Sequence, residues 1–126
     1  MRSMARTVYV VVAWVFVFGV AVQVFLAGLG VFDSPASFAT HRDVGYILSA
    51  VPILLLIVGL LAGLGPRPAV LAAVVFGLFI LQSVFVAMRD TSPAIAALHP
   101  VNGFLIGLLA VVIAREGWLA REVGAG

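Results

Sequence analysis

Long apolar runs separated by short polar breaks dominate the sequence. The runs that are long enough to cross a membrane cover residues 7–31, 44–64, 69–88 and 101–114, the last extended backwards through 94–98. A transmembrane helix needs about 20 apolar residues, and an open sheet would leave backbone groups unpaired in lipid. The breaks carry the Pro, Gly and Asp that end helices, at 33–35, 65–68 and 89–93. The pattern predicts an all-α, four-helix transmembrane bundle with short connections.

Composition supports this class and excludes others. The chain of 126 residues is 64% hydrophobic and 10% charged, with a mean hydropathy of +1.28, whereas soluble domains are roughly 25% charged. So few charged side chains cannot cover a folded surface in water, which excludes a soluble enzyme, a nucleic-acid-binding protein and a disordered chain. The absence of cysteine excludes zinc–thiolate sites, iron–sulfur clusters and thioether attachment of a cofactor.

The arginines predict the orientation in the membrane. Five of the seven fall on one side of the predicted bundle, namely Arg2, Arg6, Arg67, Arg115 and Arg121. The other two, Arg42 and Arg89, fall on the opposite side. Because cytoplasmic loops are enriched in basic residues, we expect a multi-pass protein of the cytoplasmic membrane with both termini in the cytoplasm. The N-terminal apolar run is too long for a signal peptide and is interpreted as the first helix.

An internal repeat organises the chain. Residues 33–46 align with residues 91–104 at an offset of 58, with six identities that include His41 and His99. We therefore expect a single integral membrane domain, 1–126, that contains two tandem helical hairpins, 7–64 and 69–118. Each hairpin starts on the same side, so the two should be related by a pseudo-twofold axis along the membrane normal.

The repeat carries four polar side chains into the membrane at about one depth. His41 and His99 are the only histidines, and Gln23 and Gln82 precede them by equivalent distances. One interpretation is that all four hydrogen-bond neighbouring helices and only hold the bundle together. Ionisable residues within a membrane are nevertheless rare and favour a functional site.

Two facing histidines favour a haem over a simple metal ion. Zinc and copper usually take three or four protein ligands, and a third ligand of suitable type is missing from this depth of the sequence. A haem iron needs only two axial ligands. Gly45 and Gly103 follow the histidines by one helical turn and would leave room for a flat macrocycle. Arg42 and Arg89 lie where haem propionates would reach water.

The order of these motifs resembles one four-helix half of the haem A synthases. Gln23 is followed by His41, Arg42 and Gly45, and Gln82 by His99 and Gly103; small bacterial four-helix membrane haem proteins are also similar. The resemblance implies that His41 and His99 bind one haem b per chain through its iron. The chain has one half only, and Ser37-Phe38-Ala39 replaces the carboxylate that the family places before its first catalytic histidine. That departure favours a cytochrome-like protein over a catalyst, without deciding between them.

Three functions remain open at this stage. The first is a bis-histidine b-type haem protein for electron transfer, haem handling or haem sensing near the outer membrane face, with a quinone or a redox protein as partner. The second is a non-haem structural or accessory membrane subunit. The third is a membrane protein that binds a quinone or another small molecule through the glutamines. In all three the bilayer is the surrounding partner, nucleic acid is not expected, and a homo-oligomer is compatible with the sequence.

Overall fold

The computed structural model describes residues 1–123 as a bundle of helices. The helices are α1 (Arg2–Phe32), α2 (Phe38–Ser49), α3 (Val51–Ala62), α4 (Pro66–Ala87), α5 (Pro93–Ala96) and α6 (Leu98–Val123), with a 3-10 turn at Pro35–Ser37. The predicted domain 1–126 also includes residues 124–126, which lie outside the described residues.

Four helical segments are long and apolar enough to cross a membrane. They cover Arg2–Phe32, Pro35–Ala62, Pro66–Ala87 and Pro93–Glu122, with mean hydropathies between 2.0 and 2.6. Only 11–28% of the residues in each apolar window are buried inside the bundle. The outward side chains are thus mainly apolar, which is stable in lipid and unstable in water. The prediction of an all-α, four-helix transmembrane bundle is confirmed.

The helices pack as two hairpins around one axis. α1 packs on α3 and α6, and α4 packs on the same two helices from the opposite side. The first and third spans are therefore diagonal partners, as are the second and fourth. This order has the pseudo-twofold axis along the bundle that the repeat predicts. The ring centroids of Phe16 in α1 and Phe79 in α4 meet across the core at 6.1 Å.

Prolines define where helices start and break. Pro35, Pro66 and Pro93 occupy first-turn positions, where the missing N–H costs nothing. Pro52 cannot donate to the carbonyl of Leu48, and α2 and α3 separate at Ala50 beside it. Pro100 likewise cannot donate to Ala96, where α5 ends. The second and fourth spans are thus interrupted helices, each with its break beside an intramembrane proline.

The helix ends differ in how they are capped. The Oγ of Ser34 accepts a hydrogen bond from the backbone N–H of Ala36 at 3.3 Å, as expected of an N-cap. Ser92 stands at the equivalent N-cap position, but its side chain makes no capping hydrogen bond within the described chain. At the end of α3, Gly63 adopts φ 65° and terminates the helix in the left-handed conformation.

The bundle has two different ends. The two-loop end carries the connections at 33–37 and 88–97, with Arg42 and Arg89 close to them. The terminal end carries the N-terminus, the 63–65 turn and the last turns of α6. There Arg6 donates to the carbonyls of Ala62 at 3.4 Å and Ala120 at 3.3 Å. These bonds join three helix ends, and α1 and α6 extend beyond the apolar runs to reach them.

Candidate functional site

A cavity of about 900 Å³ opens near the two-loop end. Its volume is at the upper end of the roughly 300–1,000 Å³ that is usual for cofactor and small-molecule sites. All four spans contribute to its wall. Each of the eight predicted site residues lines it: Gln23, His41, Arg42, Gly45, Gln82, Arg89, His99 and Gly103. The apolar part of the wall includes Phe38, Phe79 and Ile106.

The two histidines face each other across this cavity. His41 comes from α2 and His99 from the first turn of α6, on diagonally opposite spans. Their ring centroids are 6.1 Å apart, and the ring planes are inclined by 71°. Phe38 contacts the His41 ring edge-on, with centroids 6.4 Å apart. Both imidazoles are half-buried. Residues that are 58 positions apart in the sequence thus form one pair.

A backbone carbonyl orients each imidazole. The Nδ1 of His41 lies 3.1 Å from the carbonyl oxygen of Gln23, and the Nδ1 of His99 lies 3.4 Å from that of Gln82. A carbonyl can only accept, so Nδ1 is the protonated nitrogen when these hydrogen bonds form. The Nε2 of each ring is then a free lone pair. Metal-ligating histidines are commonly held by this arrangement.

The glutamine side chains pack against the glycines of the neighbouring helix. A Cβ at Gly45 would lie 3.1 Å from the Nε2 of Gln23, and one at Gly103 would lie 3.3 Å from the Nε2 of Gln82. Part of the space that the glycines provide is therefore occupied by these amides. The other part borders the cavity. The two hairpins repeat this contact, as they repeat the histidine contact.

Asn102 is a buried polar residue that supports the site from behind Gln82, and the sequence pattern alone did not single it out. It is 6% exposed, and its Nδ2 donates to the Oε1 of Gln82 at 2.7 Å and to the carbonyl of Leu78 at 2.8 Å. It is the only asparagine of the chain, it lies three residues after His99, and its counterpart in the first hairpin is Val44. Asn102 could have been recognised in the sequence, because it is a single amide within an apolar span at a position where the two hairpins differ.

Gln23 lacks the support that Gln82 has. Both its Nε2 and its Oε1 are buried and have no hydrogen-bond partner among the described residues. Val44 provides an apolar surface where Asn102 provides a donor. A buried carboxamide without partners is costly, at roughly 1–3 kcal/mol. Such groups are rare in folded proteins and indicate strain, an ordered water or ion, or an interaction with a ligand.

Arg42 and Arg89 lie at the cavity rim with their side chains 61% and 71% exposed. Each pairs with the residue that follows it. Arg42 Nε lies 3.0 Å from Asp43 Oδ1, and Arg89 Nε lies 3.4 Å from Asp90 Oδ2. Exposed pairs of this kind are weak, so the guanidinium groups can reorient toward an anion at the rim.

The site has two strong donors for a metal and no more. Within residues 1–123, no group of three or more His, Cys, Asp or Glu side chains is placed to hold a metal ion. Two imidazole Nε2 atoms can complete the coordination of a metal whose remaining ligands come with it. The same nitrogens can also accept hydrogen bonds from a polar ligand.

Comparison with known proteins identifies the family but not its activity. A family of unknown function, DUF6220, matches residues 23–89, which is more than half of the chain, and the chain belongs to this family. The matched segment contains Gln23, His41 and Gln82, and it ends before His99. Neither a curated protein nor a solved structure matches the chain.

Proposed function

We propose that this member of the DUF6220 family binds one haem b per chain, with His41 and His99 as the two axial ligands of its iron. The observation that carries the proposal is the pair of imidazoles, with ring centroids 6.1 Å apart and each Nδ1 directed at a carbonyl. Two imidazoles on one metal ion, with bonds of about 2 Å, have ring centroids about 6 Å apart. The separation fits a single metal ion between the rings.

The residues around the pair fit a macrocycle. Zinc or copper held by two histidines alone would lack ligands, whereas a porphyrin provides the four equatorial ones. The wall combines apolar side chains with Gly45 and Gly103, and the cavity volume of about 900 Å³ accommodates a cofactor of this size. Arg42 and Arg89 at the rim match the carboxylates of haem propionates.

The function that follows is electron transfer, haem handling or haem sensing near one membrane face. A six-coordinate haem supplies reversible one-electron chemistry and has no open position for oxygen. In this chain the carbonyls of Gln23 and Gln82 hold the imidazoles, the apolar wall excludes water, and the arginines fix the anionic edge. A quinone or a redox protein is the partner class that such a site serves. We also propose the resemblance to one half of the haem A synthases, which implies haem binding by the same two histidines.

The proposed orientation puts the site on the outer side of the cytoplasmic membrane. Five arginines belong to the terminal end and two to the two-loop end. The positive-inside rule therefore puts both termini in the cytoplasm and the haem edge toward the outer face.

Two alternatives compete with this proposal. In the first, His41 and His99 only join helices, as their bonds to Gln23 and Gln82 would allow. In the second, the cavity binds a quinone or another polar small molecule, and the unpartnered amide of Gln23 is the observation that favours it. Both predict a colourless protein.

The absorption spectrum of the purified protein tests the proposal. Protein from cells supplied with a haem precursor should be red, with a Soret band that sharpens on dithionite reduction and a low-spin spectrum. His41→Ala or His99→Ala should each lose the haem or make it high-spin, because one strong ligand is gone.

Gly45→Leu or Gly103→Leu should exclude haem by filling its space. Gln23→Ala and Gln82→Ala should change the spectrum or potential only modestly.

Controls separate loss of a ligand from loss of the fold. Adding imidazole to the His99→Ala protein should restore a low-spin spectrum if the fold and the cavity are intact. A low-spin six-coordinate spectrum in both histidine variants would show that the ligand assignment is wrong. A colourless wild-type protein that is folded and helical would instead support the alternatives.

A further inference from the structure

We propose that the cavity has a lateral entrance between α2 and α4, through which the ligand enters from the lipid. The ligand is a flat amphiphile that carries carboxylates on one edge, namely haem. The identity of this ligand rests on the proposed function. The entrance itself follows from how the helices pack.

Three of the four sides of the bundle are closed around the cavity. Between α1 and α2, a Cβ at Gly30 would lie 2.7 Å from the Phe38 ring. Between α4 and α6, the Nδ2 of Asn102 reaches the carbonyl of Leu78 at 2.8 Å. Between α1 and α6, a Cβ at Gly107 would lie 3.5 Å from Val20. Helix packs on helix along each of these sides.

The fourth side is closed at only one end. α3 packs directly on α4, whereas the described residues of α2 make no comparable packing on α4. The break at Ala50, beside Pro52, separates the packed half of this span from the unpacked half. The opening therefore lies in the half of the bundle that faces the two-loop end, at the depth of the cavity.

The repeat explains why this side is open and its counterpart is closed. The pseudo-twofold axis relates the α1–α6 side to the side between α4 and α2. Gly107, which faces Val20 on α1, has Ser49 as its counterpart, and Val20 has Phe79. Both counterparts are larger side chains, and they lie on the side where α2 does not pack on α4. Ser49 and Phe79 both line the cavity.

Residues of the opening belong to the cavity wall and to the outer surface at once. Tyr46 on α2 is 62% exposed, and Ile80 and Val86 on α4 are 55% and 41% exposed, and all three line the cavity. On this side the wall extends from Phe76 in α4 to Arg89 just beyond its end, a stretch that corresponds to about 20 Å of helix. A slot of this length along a transmembrane helix faces acyl chains over most of its depth.

The charges of the slot match an amphiphile with an anionic edge. Arg42 and Arg89 lie at the two-loop end on opposite sides of the opening, and within the described residues their ion-pair partners are the exposed Asp43 and Asp90. Below them the wall is mainly apolar. A ligand dissolved in the bilayer, with its carboxylates at the headgroup level, would have this same order of polar and apolar parts.

The cysteine-free chain permits a specific test by labelling. Ile80→Cys puts a single thiol in the slot, and Val24→Cys puts one on α1, on a side chain that is 72% exposed and does not line the cavity. Each ligand-free variant is alkylated with a bulky, membrane-soluble maleimide and reconstituted in phosphatidylcholine vesicles. Haem dissolved in the vesicles is then added, and the growth of the Soret band is followed.

We expect the adduct at Ile80→Cys to slow loading at least tenfold and the adduct at Val24→Cys to leave it unchanged. Release of haem to a soluble haem scavenger distinguishes a blocked entrance from a damaged site. A blocked entrance slows loading and release alike and preserves the final spectrum, whereas a damaged site speeds release.

Other outcomes overturn the inference in distinct ways. If both adducts load and release haem at the wild-type rate, the entrance lies elsewhere and haem binding stands. If the adduct speeds release, the slot is not an entrance. If phosphatidylglycerol vesicles without haem protect Ile80→Cys from the maleimide as well as haem does, the slot is a site for bilayer lipid. Failure of the unlabelled wild-type protein to bind haem would contradict the proposed function instead.

Discussion

Gln23 and Gln82 occupy equivalent positions in the two hairpins but have different surroundings. The side-chain oxygen of Gln82 accepts a hydrogen bond from Asn102 at 2.7 Å, while the buried amide of Gln23 has no partner among the described residues. The difference arises because one hairpin has Asn102 where the other has Val44. The backbone carbonyls of both glutamines nevertheless hold a histidine. The repeat therefore preserves the orientation of the ligands while it makes the two sides of the cavity chemically unequal.

This inequality predicts opposite effects of one substitution at the two sites. Gln82→Leu should lower the unfolding free energy of the ligand-free protein by about 1–2 kcal/mol, because Asn102 loses a buried acceptor. Gln23→Leu should leave it unchanged or raise it by up to about 1 kcal/mol, because it removes an unpaired amide. Reversible unfolding in mixed micelles measures both. Equal destabilisation by the two variants would mean that the Gln23 amide is hydrogen-bonded in the membrane.

At the scale of helices, α1 and α2 depend on glycine for their contact near the cavity. Gly30 is buried, and a Cβ there would lie 2.7 Å from three atoms of the Phe38 ring. A Cβ at Gly19 would likewise lie 2.5 Å from the side chain of Leu48. Gly28, on the same helix, has no atom within 4 Å of such a Cβ in the described chain. Small residues that permit close approach are a common basis of helix packing in membranes.

Gly30→Ala should therefore destabilise the protein by about 1–3 kcal/mol through overpacking. It should also displace the Phe38 ring, which contacts His41 edge-on. Gly28→Ala is the matched control, and it should be neutral or slightly stabilising because alanine favours helix. The two unfolding free energies provide the measurement. A neutral Gly30→Ala variant would show that the helices separate at this point at little cost.

For the whole molecule, the arrangement of the four spans brings all the intramembrane histidine and glutamine side chains to one end. The connections at 33–37 and 88–97 lie at that two-loop end. The terminal end lies opposite, and there Arg6 joins three helix ends. Arg67 and Glu116 add an ion pair of 2.7 Å at the terminal end. The two ends of the bundle therefore differ, and the candidate site lies at one of them.

Topology provides the test at this scale. Ser3→Cys marks the terminal end and Thr91→Cys marks the two-loop end, in a chain without other cysteines. In intact cells, a membrane-impermeant maleimide should label Thr91→Cys and reach Ser3→Cys only after the membrane is permeabilised. This result follows if the end with five arginines stays in the cytoplasm. The reverse pattern of labelling would put the site on the cytoplasmic face.

The hydrophobic pattern was sufficient for the number of spans and for the fold class, because only helices satisfy the backbone of an isolated segment in lipid. The repeat was sufficient to pair His41 with His99, since a twofold order of hairpins puts equivalent residues on opposite sides of one axis. The eight candidate site residues were predicted in this way, and all of them line the cavity. These features depend on local composition and on symmetry, which are present in the chain itself.

Other features required the packed bundle, because they depend on contacts between residues that are distant in sequence. Asn102 meets Gln82 across 20 residues, and Gln23 is unpaired because of what stands opposite it at Val44. The interruptions at Ala50 and Ala97, by contrast, have a local cause in Pro52 and Pro100 and do not depend on distant contacts. The opening between α2 and α4 is decided by how closely the backbones approach each other. That distance depends on pairs of side chains at the interface, such as Gly107 with Val20 on the closed side.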